Sequence, residues 1–86
     1  MQISVDLTLS PLQNDFEEHV KDFIKVLRAS EFTVLENPLS TQIYGEFDTL
    51  MPFLNKAIKA SFEKADISVL TMKVVKTNRS DYEPSF

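Results

Sequence analysis

Ser4, Asp6 and Thr8 occupy alternate positions near the start of the chain, and Gln42, Tyr44 and Glu46 do the same near its middle. The two triplets together hold two carboxylates, an amide, an aromatic ring and hydroxyls. Such a set can bind an aminopyrimidine, with a carboxylate receiving the exocyclic amine and Tyr44 offering stacking area. A nearby positive charge is also favoured, through Coulomb attraction and cation–π contact. The same residues serve equally well as a solvated sheet face whose charges do nothing. Paired carboxylates could instead divide acid and base roles, but nothing else in the chain supplies a nucleophile activator or a metal.

Counts of residue types close other routes. A single glycine among 86 residues cannot build a glycine-rich phosphate cradle. With no cysteine there are no disulfides, thiolate zinc sites, iron–sulfur clusters or cysteine nucleophiles. His19 is the one histidine, on the edge of a helical stripe, and has no second histidine to complete a metal pair. Nine basic against 13 acidic residues give a net charge of −4, which disfavours phosphate-backbone binding. No apolar run approaches the roughly 18–20 residues of a membrane span, and the N-terminus lacks the basic and apolar regions of a signal peptide. The expectation is one small cytoplasmic domain over residues 1–86, with neither nucleic acid nor membrane as partner.

The elements that must position the chemistry follow from periodicity. Met1, Ile3, Val5, Leu7 and Leu9 alternate with polar residues, which predicts a strand with one apolar face, ended by Pro11. Asn14 as cap with Glu17 three residues on predicts a helix start. Phe16, Val20, Phe23, Ile24 and Leu27 form its apolar stripe. Phe32 to Glu36 is a short strand, and Asn37-Pro38-Leu39-Ser40 a turn. Thr41 to Phe47 is a third strand, with Thr41, Ile43, Gly45 and Phe47 on one face. A second helix is expected with Asp48 as cap and Pro52 in its first turn, buried through Leu50, Phe53, Leu54, Ala57, Ile58 and Ser61. Ile67 to Lys76 is the last strand, partly apolar on both sides. Thr77 to Phe86 is a polar, irregular tail in which Arg79 can pair with Asp81 or with a carboxylate across an interface.

The order β-α-β-β-α-β specifies an α+β, ferredoxin-like fold: a four-stranded antiparallel sheet with two helices on one face. The other face is open. The last strand would show there either Leu70, Met72 and Val74 or their alternates, so sheet-to-sheet packing between subunits is expected. Gly45 weakens a strand interior unless something approaches closely, and close helix–sheet packing is the expected reason. The fold alone decides no function. Metal carriage lacks its thiolates. Acylphosphatase chemistry lacks an arginine and glycine in the loop after the first strand. RNA recognition lacks aromatics on the first strand and a basic face.

One further signal spans nearly the whole chain. The segment Pro38-Leu39-Ser40-Thr41-Gln42-Ile43-Tyr44-Gly45-Glu46, with the Met1 to Ser10 strand and the Lys76 to Asp81 end, resembles the YkoF-like thiamine-binding protein family. The resemblance implies a non-catalytic domain that binds thiamine or its hydroxymethylpyrimidine moiety as ligand and needs no cofactor. It implies self-association as a homodimer or homotetramer through sheet faces, with ligand held on the open face at a subunit interface. Carried onto this chain, the family's contacts fall on Ser4, Asp6 and Ser10, then on Asn37, Ser40, Thr41, Gln42, Tyr44 and Glu46. Strict alternation places Thr41 on the helix side, at odds with the rest. The alternative is a structural or regulatory interaction module that uses the open sheet face for assembly.

Overall fold

A computed structural model describes residues 1–85. Phe86, assigned to the irregular tail by the sequence, lies outside the described residues. The elements run β1 (Gln2–Pro11), α1 (Phe16–Arg28), β2 (Thr33–Glu36), β3 (Thr41–Glu46), α2 (Phe47–Lys64) and β4 (Ser68–Lys76). The four strands form one antiparallel sheet in the order β2-β3-β1-β4. This is the ferredoxin-like arrangement that the element order specifies.

Alternation in β1 decides which face becomes core. Ile3, Val5 and Leu7 are buried and meet Ile43 of β3, Phe23 and Leu27 of α1, and Leu50, Leu54 and Ala57 of α2. The intervening residues of β1 turn to the helix-free face. There Ser4 lies opposite Tyr44, and Asp6 opposite Gln42 on one side and Lys73 on the other. The first helix spends its acids early, at Glu17 and Glu18, and its bases late, at Lys25 and Arg28. That order suits the helix dipole. Arg28 also grips Glu36 of β2 with two hydrogen bonds of 2.6 and 2.7 Å, tying the end of α1 to the sheet edge.

Both helix starts differ from the expectation. The residue capping α1 is Asp15 rather than Asn14, and its side chain makes no capping bond. Its carboxylate is engaged instead by Gln13, at 2.6 Å. The second helix begins directly at Phe47 with Glu46 as cap, so Phe47 is helical and Asp48 lies in the first turn. Glu46 outcompetes Asp48 because it has two tasks there. It accepts the Asp48 amide at 3.5 Å and the N-terminal ammonium at 2.6 Å, while Phe47 N–H donates to the Met1 carbonyl. The earlier start leaves Pro52 inside the helix rather than in its first turn. With no N–H of its own, it leaves the Asp48 carbonyl without the usual partner.

The face carried by β4 is also settled. Met72 lies opposite Leu7, and Val74 opposite Val5, so Leu70, Met72 and Val74 belong to the helix side. The open face receives the alternates Val69, Thr71, Lys73 and Val75, opposite Ser10, Thr8, Asp6 and Ser4. After β4 the chain turns sharply. Thr77 takes φ 155°, a conformation that is strained for a β-branched residue. Its N–H closes onto the Val75 carbonyl at 3.0 Å.

Candidate functional site

The nine residues singled out by the sequence fall on two sides of the sheet, joined at Ser40. On the helix-free side, Gln42 Nε2 donates to Asp6 Oδ1 at 2.8 Å and to Ser40 Oγ at 2.7 Å. Cross-strand pairing of Asp6 with Gln42 makes this possible, since directly opposed side chains lie within reach. Hydrogen bonds from Gln42 and then from Ser40 hold the Asp6 carboxyl below its ordinary value of 3.8, and Lys73 lowers it further. Asp6 is therefore a fixed negative charge at neutral pH.

Tyr44 lies on the same side but is only 8% exposed. Burial, and then the charge on Asp6, push its phenol above the ordinary value of 10.0. Its opposite neighbour Ser4 is committed elsewhere. Ser4 Oγ donates to the Thr77 carbonyl at 2.7 Å and accepts from Arg79 N–H at 2.9 Å. The turn after β4 is thus pinned over Ser4, beside Tyr44, and Asn78 adds a bond to Gln2 at 3.1 Å. Arg79 does not pair with Asp81. Its guanidinium sits 5.4 Å from the centre of the Tyr82 ring. Glu46 is taken up by the N-terminus and the α2 cap, and the ammonium hydrogen bond is what chiefly lowers its pKa. Ser10 is exposed at the far end of β1.

On the helix side the remaining candidates gather in a cleft of about 250 Å³ between α1 and the β2–β3 turn. Asn37, Ser40 and Thr41 are the polar residues of its turn-side wall, and Leu7, Leu9, Phe23 and Ile24 form much of the apolar remainder. The turn has a definite shape because Asn37 Oδ1 accepts the amides of Leu39 and Ser40, at 2.8 and 3.0 Å. Such Asx geometry lets asparagine replace a backbone partner. Thr8 Oγ1 adds a long bond of 3.4 Å to the Leu39 carbonyl. Thr41 lies opposite Leu7, is 7% exposed, and its hydroxyl makes no hydrogen bond among the described residues. Alternation therefore does put Thr41 on the helix side, and the cleft is there.

The sequence missed the apolar lining, because Leu7, Leu9, Val20, Phe23 and Ile24 read as ordinary core. One signal was available. Leu39 is a large apolar residue in a turn, and it is 85% exposed at the cleft rim. An apolar interior with a few convergent polar groups is the usual composition of a small-molecule pocket. No basic residue lines this one. Among the described residues no group of three or more histidine, cysteine, aspartate or glutamate side chains is placed to hold a metal, and no helix is long and apolar enough to cross a membrane.

Fold and cleft together define a small α+β domain with an apolar cleft beside its sheet. A family profile described as thiamine-binding protein matches residues 5–85, and the chain belongs to that family. Among solved structures, a protein of Streptococcus pneumoniae is similar, with 28% identity and a TM-score of 0.84 over 91% of this chain and 89% of that one. A candidate thiamine biosynthesis/salvage protein from Thermotoga maritima shares the fold, with a TM-score of 0.81 at 18% identity over 90% of this chain and 85% of that one. A domain of unknown function from Bacillus cereus also shares it, with a TM-score of 0.74 at 22% identity over 99% of this chain and 79% of that one. No curated protein matches the chain. Family membership gives the chain a thiamine-related binding role.

Proposed function

We propose that the chain binds thiamine or its hydroxymethylpyrimidine moiety, without catalysis, in the cleft between α1 and the Asn37–Thr41 turn. The observation that carries this reading is the cleft itself. Its interior is apolar, and Thr41 presents a hydroxyl with no partner of its own among the described residues. A flat pyrimidine with its methyl group is desolvated against Leu7, Leu9, Phe23 and Ile24. Its ring nitrogens and amine meet Thr41 Oγ1, Ser40 and the Asn37 side-chain amide. The amide can serve because only Oδ1 is spent on the turn.

Ser40 links this cleft to Asp6 through Gln42. The ionised Asp6 is the group that would offset a thiazolium charge, so a cation is tolerated where a phosphate is not. Tyr44, Ser4 and Glu46 support the fold in this reading rather than touch ligand. Micromolar affinity corresponds to about 8 kcal/mol, and burial of one ring plus two or three hydrogen bonds supplies that only if water leaves the cleft. Leu39 at the rim is the residue that would close it.

Calorimetric titration with thiamine and with hydroxymethylpyrimidine is the test. Thr41→Val keeps shape and removes the hydroxyl, and is expected to weaken binding by several-fold, from the loss of about 1 kcal/mol. Tyr44→Phe is expected to leave affinity unchanged. The opposite pattern, with Thr41→Val silent and Tyr44→Phe damaging, would move the ligand to the open face. No heat with either compound at millimolar concentration would remove the binding assignment for this chain.

A further inference from the structure

We infer that His19 is a proton-operated latch: in its neutral form it helps hold the loop before α1 against the loop before β4, and on protonation it releases that contact. The first observation is a side chain that spans the two loops. Gln13, between β1 and α1, accepts the Asp66 N–H on its Oε1 at 2.9 Å. Asp66 stands between α2 and β4, 53 residues away in sequence. The Nε2 of Gln13 donates to Asp15 Oδ1 at 2.6 Å and lies 3.1 Å from His19 Nε2. The Asp66 N–H has no other acceptor among the described residues. One backbone bond supports the same junction, from Leu12 N–H to the Ile67 carbonyl at 2.8 Å.

The second observation is the direction of these bonds. A backbone N–H can only donate, so the atom of Gln13 that faces Asp66 is the oxygen, and the one that faces His19 is the amino group. An amino group of this kind only donates as well. His19 Nε2 is therefore the bare nitrogen of a neutral ring, with the ring proton on Nδ1. The His19 side chain is only 11% exposed, which leaves water little room to substitute for either partner.

A proton reverses that contact. Imidazole is the side chain whose charge ordinarily changes between about pH 5 and 8. Once Nε2 carries hydrogen, two donors stand 3.1 Å apart. Asp15 Oδ2, 3.3 Å from Nε2, is the acceptor at hand. The hydrogen bond from Gln13 chiefly holds the Asp15 carboxyl below its ordinary value of 3.8, so it stays ionised throughout that range. Gln13 then has to turn its oxygen toward the ring or swing away, and either motion takes Oε1 from Asp66. Asp22 of α1 and Lys64 of α2 line the narrow gap beside His19, and the Asp66 carboxylate belongs to the loop that Gln13 holds. These charges weigh on how readily the proton binds, not on which bonds exchange. His19 gains Asp15 as Asp66 loses Gln13, so the effect is a local opening rather than a loss of global stability. It falls at the start of the helix whose Val20, Phe23 and Ile24 form a wall of the cleft.

His19 is the one histidine, so its ring signals are assigned without ambiguity. Amide and ring NMR from about pH 8 to pH 5 follow the latch and its trigger together. The Asp66 amide proton is expected to move upfield in step with the His19 ring. Its protection from exchange, corrected for the intrinsic effect of pH, is expected to fall several-fold, as one lost hydrogen bond implies. His19→Phe keeps a ring in place and cannot titrate, and there the Asp66 signal is expected to stay still. Gln13→Glu offers acceptor oxygens to both sides, so Asp66 keeps its bond when His19 is protonated and the response is expected to vanish. Circular dichroism confirms that each variant is folded. An Asp66 signal that stays still while the His19 ring titrates overturns the inference, as does one that moves equally in His19→Phe. Protection that rises on protonation also overturns it, and would mean that His19 and Gln13 share Asp15 without parting.

Discussion

Replacing Gly45 by alanine tests how tightly the β2 side of the core is packed. Gly45 has no positive φ, so its backbone is one that alanine adopts freely. Space is the issue. A Cβ built there would lie 2.6 Å from Cδ1 and 3.0 Å from Cε1 of Phe32. The ring would have to withdraw about 0.8 Å to reach ordinary contact at 3.4 Å. It cannot swing away freely, because it is packed against Phe53 with ring centres 5.4 Å apart at 47°. Overpacking of this kind costs about 1–3 kcal/mol. Against it, alanine restricts the unfolded chain and returns about 0.4–1 kcal/mol. The expected net loss is about 1–2 kcal/mol, or a fall in Tm on the order of 5–15 °C for a domain this small. Urea unfolding measures it, with the m-value unchanged because the surface exposed on unfolding is the same. Phe32→Leu removes the obstructing ring atoms, so Gly45→Ala should cost less in that background, and the double-mutant cycle should show a favourable coupling. A Gly45→Ala protein as stable as the parent, or a cycle with no coupling, would refute the packing argument. Ligand affinity should not move in either case, since neither residue lines the cleft.

Other consequences can be checked with the same equipment. Ser4→Ala removes the acceptor of the Arg79 amide and the donor to the Thr77 carbonyl, and should cost about 1–2 kcal/mol. Hydrogen exchange at Arg79 should rise markedly in that variant, and unchanged protection would show that Ser4 does not hold the turn. Leu54→Ala, at a fully buried position of α2, should lose about 2–5 kcal/mol in urea unfolding. The carboxyls of Asp6, Glu36 and Glu46 all sit below their ordinary values of 3.8, 4.5 and 4.5 in the folded protein. A carboxylate depressed by folding contributes stability above its unfolded pKa and loses it as pH falls through the folded value. The urea midpoint should therefore hold from neutrality to about pH 5 and decline below it, with a shallower decline in Asp6→Asn. A midpoint that rises on acidification would contradict the sign.

Alternation in β1 and the helical stripe through Phe23 and Leu27 are local properties, and they decided the fold before any contact was formed. Apolar burial at period two or near 3.6 is satisfied by only one face of each element. That left the β-α-β-β-α-β order a single economical way to cover the sheet. The same alternation put Thr41 with the core and Asp6 with solvent. Helix caps were less legible, because several residues compete for the same orphan amides. Asp15 won over Asn14, and Glu46 won over Asp48 once the N-terminus came close, a contact spanning 45 residues. Only tertiary structure could make the cleft, since its walls come from β1, α1 and the Asn37–Thr41 turn, and an apolar lining residue looks in sequence like any core residue. It alone also assigned Leu70, Met72 and Val74 to the helix side of β4, because a strand apolar on both faces carries no alternation from which to read its direction. Register against β1 supplied that direction, and register is a property of the pair of strands rather than of either sequence.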